Sequence, residues 1–337
     1  MKELNKIEFI AEAGINHNGS IKKAFKMIDL AASAKADIIK FQFTNPNLIS
    51  KHAKKAEYQI QKNDISKSQK KMIELIDLDW KTVIPKLIKR CKQKKIKFLI
   101  SVFDISDFKK IEKFKPKIIK IPSGEIDNIP FLEYLAKKNL KTILSTGMST
   151  LPEIDSAIKT LLKNGLKKKN LVLMQCTSAY PTPFEEANLK VLEYYKIKYN
   201  LSVGLSDHTP GIISPIVSVG FGVRLIEKHF TLSKKMKGPD HKASLDPKEL
   251  KNLVTSLRIA EKLLGSDKKK ITKGEKKNKT LSRKSIFAIN NIQVGEKFNL
   301  NNIGLKRPAI GLKPKKFNSL IGKKSKFRFR KDQVIKI

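Results

Sequence analysis

The sequence is short of cysteine, of arginine and of long apolar runs, and each shortage closes off a class of protein. Only two of the 337 residues are cysteine, Cys91 and Cys176, and they share no metal-type spacing. Neither a disulfide framework nor a thiolate zinc site is expected. No apolar run reaches the roughly 18 residues a membrane helix requires. The opening MKELNKIEFIAEAG lacks the basic-then-apolar layout of a signal peptide, so the expected location is the cytoplasm, with no membrane partner. Arginine supplies only seven of the 71 basic residues. Because arginine is the usual base reader and no recognition motif occurs, the net charge of +40 does not point to nucleic acid. The lysine excess reads as compositional drift whose consequence is a positive field that draws in small anions. Also missing is a GxGxxG run after the first apolar segment, which argues against a dinucleotide-binding sheet.

Apolar residues make up 40% of the chain, enough for a large core. Short β-branched runs alternate with longer amphipathic stretches, the pattern of repeated strand–helix units. Eight strands are expected: 7–13, 38–43, 97–102, 118–121, 142–145, 171–175, 202–205 and 225–230. Helices are expected over 20–34, 80–94, 151–164 and 247–264. Eight units predict an α/β fold, a closed (β/α)8 TIM barrel, which takes about 250 residues. After Leu264 the Gly- and Lys-rich stretch GSDKKKITKGEKKNKT cannot bury an apolar face. Beyond it, short runs such as 285–289 and 327–329 lie between turn residues. The division is therefore a barrel over 1–265, a linker over 266–280 and a small β-rich module over 281–337, which is too small to fold securely without docking.

Ionisable and polar residues gather at the carboxyl ends of these strands, where a parallel barrel builds its site. Glu12 ends the first, Lys40 and Gln42 the second, Lys120 and Ser123 the fourth, Ser145 the fifth, Thr177 the sixth, Ser206 and His208 the seventh, and His229 the eighth. His208 and His229 end consecutive strands, so both imidazoles can face one mouth with Glu12 and Asp240 and ligate a divalent ion. Lys40 and Lys120 lie within strand runs and suit an anionic carboxylate or phosphate; imine formation by a desolvated lysine is the rival reading.

The segments AEAGINHNGS (11–20), IIKFQ (38–42), KAEYQI (55–60), IKIPSGEIDNIP (119–130), ILSTGM (143–148), YPTPFEEANL (180–189), GLSDHT (204–209), EKHFTL (227–232) and GPDHKASLDP (238–247) resemble the N-acetylneuraminate synthase family, which includes the legionaminate and pseudaminate synthases. The run from Arg283 through KRPAIG (306–311) resembles that family's antifreeze-like SAF domain. The resemblance implies a domain-swapped homodimer and a divalent cofactor, Mn²⁺ first and Co²⁺ or Mg²⁺ next, held by His208 and His229. It implies condensation of phosphoenolpyruvate with an N-acetylated amino sugar. Lys40, Gln42, Lys120, Ser123, Ser145 and Ser206 match positions on phosphoenolpyruvate. Asn63, Thr177, Tyr180, Asp240 and Glu12 match positions around the substrates and the attacking water, with Glu12, Lys40, Lys120 and Asp240 as the catalytic set. Arg307 matches an arginine that reaches a partner's sugar.

Three departures stand out. SVFD (101–104) is a shortened form of the family's run after the third strand, Gln175-Cys176 precedes Thr177 where His-Cys is common, and Ala309-Ile310-Gly311 replaces Gly-Asn-Gly. The expected reaction is N-acetylneuraminate synthesis from N-acetylmannosamine, the alternative being a legionaminate or pseudaminate synthase that uses a 6-deoxy-2,4-diacetamido hexose. A silent carbohydrate- or nucleic-acid-binding protein is the reading from another class, opposed by the intact Glu12, Lys40, Lys120, His208 and His229 set.

Overall fold

A computed structural model describes residues 6–60, 66 and 68–337. Among them, strands Glu8–Gly14 (β1), Ile38–Gln42 (β2), Lys97–Ser101 (β3), Ile118–Ile121 (β4), Lys141–Ser145 (β5), Leu171–Cys176 (β6), Ser202–Asp207 (β7) and Leu225–His229 (β8) pair in parallel and in order. β8 closes on β1, with Glu12 opposite His229. All eight expected strands occur, with ends shifted by at most two residues. The helices Trp80–Lys94 and Pro247–Leu264 run over the expected residues. The second is set by a reciprocal cap between Asp246 and Glu249 and by Pro247 at its first position.

The strands are apolar on both faces because both are covered. Outward side chains, among them Phe9, Ile39, Ile119, Leu144, Leu173, Val203 and Ile226, pack into the main core. Inward, Ile10, Ile38, Leu99, Ile143, Val172, Met174 and Leu225 form a separate apolar plug across the barrel. Gly204 is needed at this level: a Cβ there would lie 2.7 Å from the Leu225 carbonyl oxygen. Two residues further along each strand the side chain faces inward again. That layer holds Glu12, Lys40, Ser101, Lys120, Ser145, Cys176, Ser206 and Glu227, all buried. The barrel thus sets a charged layer directly on an apolar one, at its carboxyl end.

A second compact unit begins at Ser266. Its antiparallel strands Ser285–Ala288 (β9) and Ile303–Lys306 (β10) cover a core of Ile286, Ile292, Phe298, Leu320, Phe329 and Ile335. The stretch expected to be only a linker holds a helix, Lys273–Ser282, started by a reciprocal cap between Thr272 and Glu275 and burying no side chain. The run 327–329 is not a strand; Phe329 makes a single antiparallel bridge to Ile292. The Ala-Ile-Gly departure sits in a held loop, where the Ala309 amide donates to Thr280 O at 2.8 Å and the Gly311 amide to Ser285 Oγ at 2.8 Å.

His17, in the loop after β1, is fully buried between Phe41 and Trp80. Burial brings its pKa down from 6.5 to about 4. A histidine whose folded pKa is depressed stabilises the fold fully above its unfolded pKa and loses that contribution as the pH falls from about 6.5 toward 4. At pH 5 the loss is ~2 kcal/mol for this one group. Melting temperature is expected to fall between pH 7 and pH 5, and more shallowly in His17→Gln. Equal slopes for the two proteins would show that His17 does not carry the effect.

Candidate active site

Strand register brings four charged side chains into one buried cluster. Lys40 Nζ lies 2.8 Å from Glu12 Oε1 and 3.6 Å from Glu227 Oε1. Lys120 Nζ lies 3.1 and 3.2 Å from the two oxygens of Glu227. Ser206 Oγ donates to Glu227 Oε1 at 3.2 Å, and Gln42 Nε2 donates to Glu12 Oε1 at 3.1 Å. The sequence reading gave both lysines an anionic substrate as partner; each already has a protein carboxylate. The physical reason is the plug beneath them, because an unpaired ammonium beside apolar walls costs several kcal/mol in lost hydration. Glu227 was missed. The signal for it is period-2 alternation, since it stands two residues before His229 on the same face of β8.

The two carboxylates are driven apart. Burial pushes Glu12 up to about 7, offset only in part by the Lys40 charge. Burial would raise Glu227 as well, but the Lys120 and Lys40 charges together outweigh it and hold the carboxyl down to about 2. One carboxylate is locked as an anion while the other exchanges its proton near neutrality, the separation an acid–base site uses. Glu12 Oε1 is taken by Lys40 and Gln42, whereas Oε2 is buried with no hydrogen-bond partner. Ser145 Oγ and His229 Nδ1 are buried and unpartnered too. Buried polar atoms are normally satisfied, so these three mark where substrate, water or metal atoms are received.

Above the charged layer the rings of His208 and His229 stand 5.4 Å apart, centre to centre. His208 Nδ1 donates to the Thr177 carbonyl at 2.8 Å, which leaves Nε2 as the nitrogen open to a ligand. Burial and the charge of His208 hold His229 well below the usual imidazole pKa, so its ring is neutral. Asp240 Oδ2 lies 3.9 Å from His229 Nδ1, and burial pushes that carboxyl up to about 6. Two oriented imidazoles, that of His229 neutral and that of His208 one that would give up its proton on binding a metal, fit a divalent ion of intermediate softness. Among the described residues no group of three or more His, Cys, Asp and Glu side chains forms a metal cage.

The remaining expected residues divide. Ser123 Oγ accepts the Gly147 amide at 2.9 Å, and a Cβ on Gly147 would sit 2.9 Å from that oxygen and 2.3 Å from Ser178 Oγ, so a side chain here would displace both hydroxyls. Thr177 follows β6, which runs one residue longer than expected; its hydroxyl donates to the Glu186 carbonyl at 2.9 Å, and its carbonyl accepts from His208. Tyr180 packs on His208 with centres 4.2 Å apart and stacks on Tyr58 at 4.7 Å. Tyr58 was not singled out from the sequence because it sits in a single 3-10 turn, Glu57–Gln59, off the strand pattern. A cavity of ≈ 570 Å³ opens here, lined by Gln42, Tyr58, Gln59, Tyr180, His229 and Asp240 together with apolar Leu48, Ile49, Ile73 and Phe103. Asp104 of the SVFD run also lines it and caps the helix Ile105–Glu112. Asn63 lies outside the described residues. Arg307 is exposed, directly after β10 in the second unit.

Residues 27–269 match the model of the NeuB family, and residues 283–337 match the SAF domain. The chain is 45% identical to an N,N'-diacetyllegionaminic acid synthase of Campylobacter jejuni, covering 99% of this chain and 100% of that one. It is 39% identical to the enzyme of the same description from Legionella pneumophila, over 93% of this chain and 88% of that one. Among solved structures it resembles an N-acetylneuraminic acid synthetase from Leptospira borgpetersenii, with 33% identity, a TM-score of 0.73, and coverage of 82% of this chain and 90% of that one.

Proposed function

The chain belongs to the NeuB family, and from that premise we propose that it condenses phosphoenolpyruvate with a 6-deoxy-2,4-diacetamido hexose and water to give a legionaminate-type nonulosonate and phosphate. The observation that carries the reaction class is the buried ring of Glu12, Lys40, Glu227 and Lys120 beneath two oriented imidazoles at the carboxyl end of the barrel. N-acetylneuraminate synthesis, the first expectation from sequence, uses the same apparatus. The sugar is assigned to the alternative because two legionaminic acid synthases match more of the chain at higher identity than the sialic acid synthetase does. The cavity supports it as well: Leu48, Ile49, Ile73 and Phe103 suit a C6 methyl and a second acetyl group, whereas free hydroxyls at those positions would lose hydration against them.

His208 and His229 would hold the divalent ion, Mn²⁺ being the first choice, and its chemistry when bound is to polarise the aldehyde of the open-chain sugar. Lys120 and Lys40 bind the carboxylate and phosphate of phosphoenolpyruvate. C3 of phosphoenolpyruvate forms the bond to the aldehyde carbon, whose oxygen becomes a hydroxyl; water adds at C2, and phosphate leaves with cleavage of its bond to C2 as C2 becomes a ketone, the two protons of the water ending on the new hydroxyl and on the departing phosphate. Glu12 takes the proton of that water through Oε2, the oxygen that neither Lys40 nor Gln42 occupies. With Glu12 protonated the cluster carries one net positive charge, which favours retention of the anion until phosphate departs. Asp240 and Tyr180 orient the sugar beside His229. The same resemblance supports a homodimer in which Arg307 of the partner subunit grips the N-acetyl end.

Phosphate release with Mn²⁺ tests the reading. The diacetamido sugar is expected to exceed N-acetylmannosamine by ~10- to 100-fold in kcat/KM, the range that one or two buried apolar groups provide. A preference for N-acetylmannosamine returns the protein to the sialic acid reading, and no turnover of either sugar defeats the proposal.

A further inference from the structure

Behind the two histidines, on the outer face of the barrel, lies a second buried ion pair that the reaction does not touch. Alternation turns Asp207 and Lys228 outward while their neighbours His208 and His229 turn inward. The two are direct register partners across β7 and β8. Neither is more than 3% exposed. Lys228 Nζ donates to Asp207 Oδ2 and, at 2.6 Å, to the carbonyl of Thr209. Thr209 answers with its hydroxyl on the Asp207 carboxylate at 3.0 and 3.1 Å and with its amide at 3.3 Å. Every polar atom of this knot is satisfied, in a layer that is otherwise apolar, with Val203 and Ile226 beside it in the main core.

A buried ion pair is seldom a source of net stability, since well-packed apolar side chains of similar volume serve as well or better. What this one does that apolar side chains could not is reach across two strands. It ties the penultimate residue of β8 to the residue after His208. The other restraints on His208 come from a different side: its carbonyl accepts the Thr182 amide at 2.9 Å, and its Nδ1 faces the Thr177 carbonyl. His229 is held through its carbonyl by the Leu245 amide at 2.9 Å. The β7/β8 ladder pairs the strands as far as Asp207 and Lys228, and the Lys228 knot carries the tie past the end of that ladder, to the carbonyl of Thr209 beyond His208. We infer that Asp207, Lys228 and Thr209 are positioning residues that set the spacing of the His208 and His229 imidazoles, and so the affinity of the site for its divalent ion. This rests on the reading of those histidines as the metal ligands.

The test separates placement from stability. Lys228→Met alone leaves a buried, unpaired carboxylate and is expected to lower the melting temperature. Asp207→Leu/Lys228→Met removes both charges and is expected to regain most of that loss. Apo-protein prepared by chelation is titrated with Mn²⁺ by calorimetry and by electron paramagnetic resonance. The double variant is expected to bind Mn²⁺ ~10- to 100-fold more weakly than wild type, the usual effect of losing groups that orient metal ligands, while its KM for phosphoenolpyruvate at saturating Mn²⁺ stays within about twofold. A double variant that recovers stability and matches wild-type Mn²⁺ affinity overturns the inference alone. Wild-type protein whose Mn²⁺ affinity is unchanged by His208→Ala removes the ligand assignment, and the inference with it.

Discussion

Replacing Glu227 by Gln is expected to lower kcat by ~100- to 1,000-fold while leaving the KM for phosphoenolpyruvate unchanged or lower. The split follows from where the charge sits. Glu227 spans Lys40 and Lys120 in the free protein, so its loss makes the pocket more cationic and does not weaken its attraction for a trianion. The lysines, however, lose the anchor that sets their spacing, and Lys120 keeps no other charged partner within salt-bridge distance among the described residues. A transition state that depends on fixed charges suffers more from that loosening than ground-state binding does. The stability cost is large as well. A carboxylate held down to about 2 contributes stability above the unfolded pKa, here ~3 kcal/mol at neutral pH, lost as the pH falls from about 4.5 toward 2. The Gln variant should therefore melt well below wild type, and added phosphoenolpyruvate should raise its melting temperature more than it raises wild type's. A raised KM with kcat preserved would show that Glu227 serves binding alone.

The opposite shift at Glu12 completes this balance. Its pKa is raised to about 7, so ionised Glu12 opposes folding as the pH rises from about 4.5 through 7, by an amount comparable with what Glu227 contributes. Two lysines cannot fully compensate two buried carboxylates, and the strain falls on the one with a single close lysine. That is the carboxylate whose second oxygen is left unpartnered, and a group so placed suits proton transfer better than structure.

Much of this was legible in the residues. The strands were readable because a barrel strand is buried on both faces, which turns it into a short apolar run with a clear end. Ionisable residues inside or just after such runs then mark the mouth, as Lys40, Lys120, His208 and His229 did. Glu227 and Lys228 stand beside His229 in the EKH segment, where the end of the run marks only the histidine and alternation alone puts Glu227 inside and Lys228 outside. The helix at Lys273–Ser282 carried its own signature, Thr272 followed three residues on by Glu275, hidden by a lysine-rich composition that suggested a plain linker. Tyr58 was not legible in the same way: its place on Tyr180 is decided by a long-range fold of a loop, and no local period reports it.

The second large effect concerns the two histidines together. Chelation is expected to abolish turnover, with Mn²⁺ restoring it, and His208→Ala or His229→Ala is expected to reduce turnover by at least ~1,000-fold at ordinary Mn²⁺ concentrations. The loss should appear first as metal content of the purified protein, measured by elemental analysis, because each imidazole is one of the two ligands proposed. Folding should survive in His208→Ala. The ring's hydrogen bond to the Thr177 carbonyl is removed with the ring, and that carbonyl sits at the mouth, where water can replace the partner. If Arg307 of the partner subunit completes each site, mixing His208→Ala with Arg307→Ala protein rebuilds one whole site in every mixed dimer, and random exchange then returns about a quarter of wild-type activity. Recovery fails if both residues must come from one chain, since every site would then keep one defect. Metal content restored in the mixture only to the level of the Arg307→Ala share would tie the regained turnover to the intact histidine pair rather than to a remodelled one.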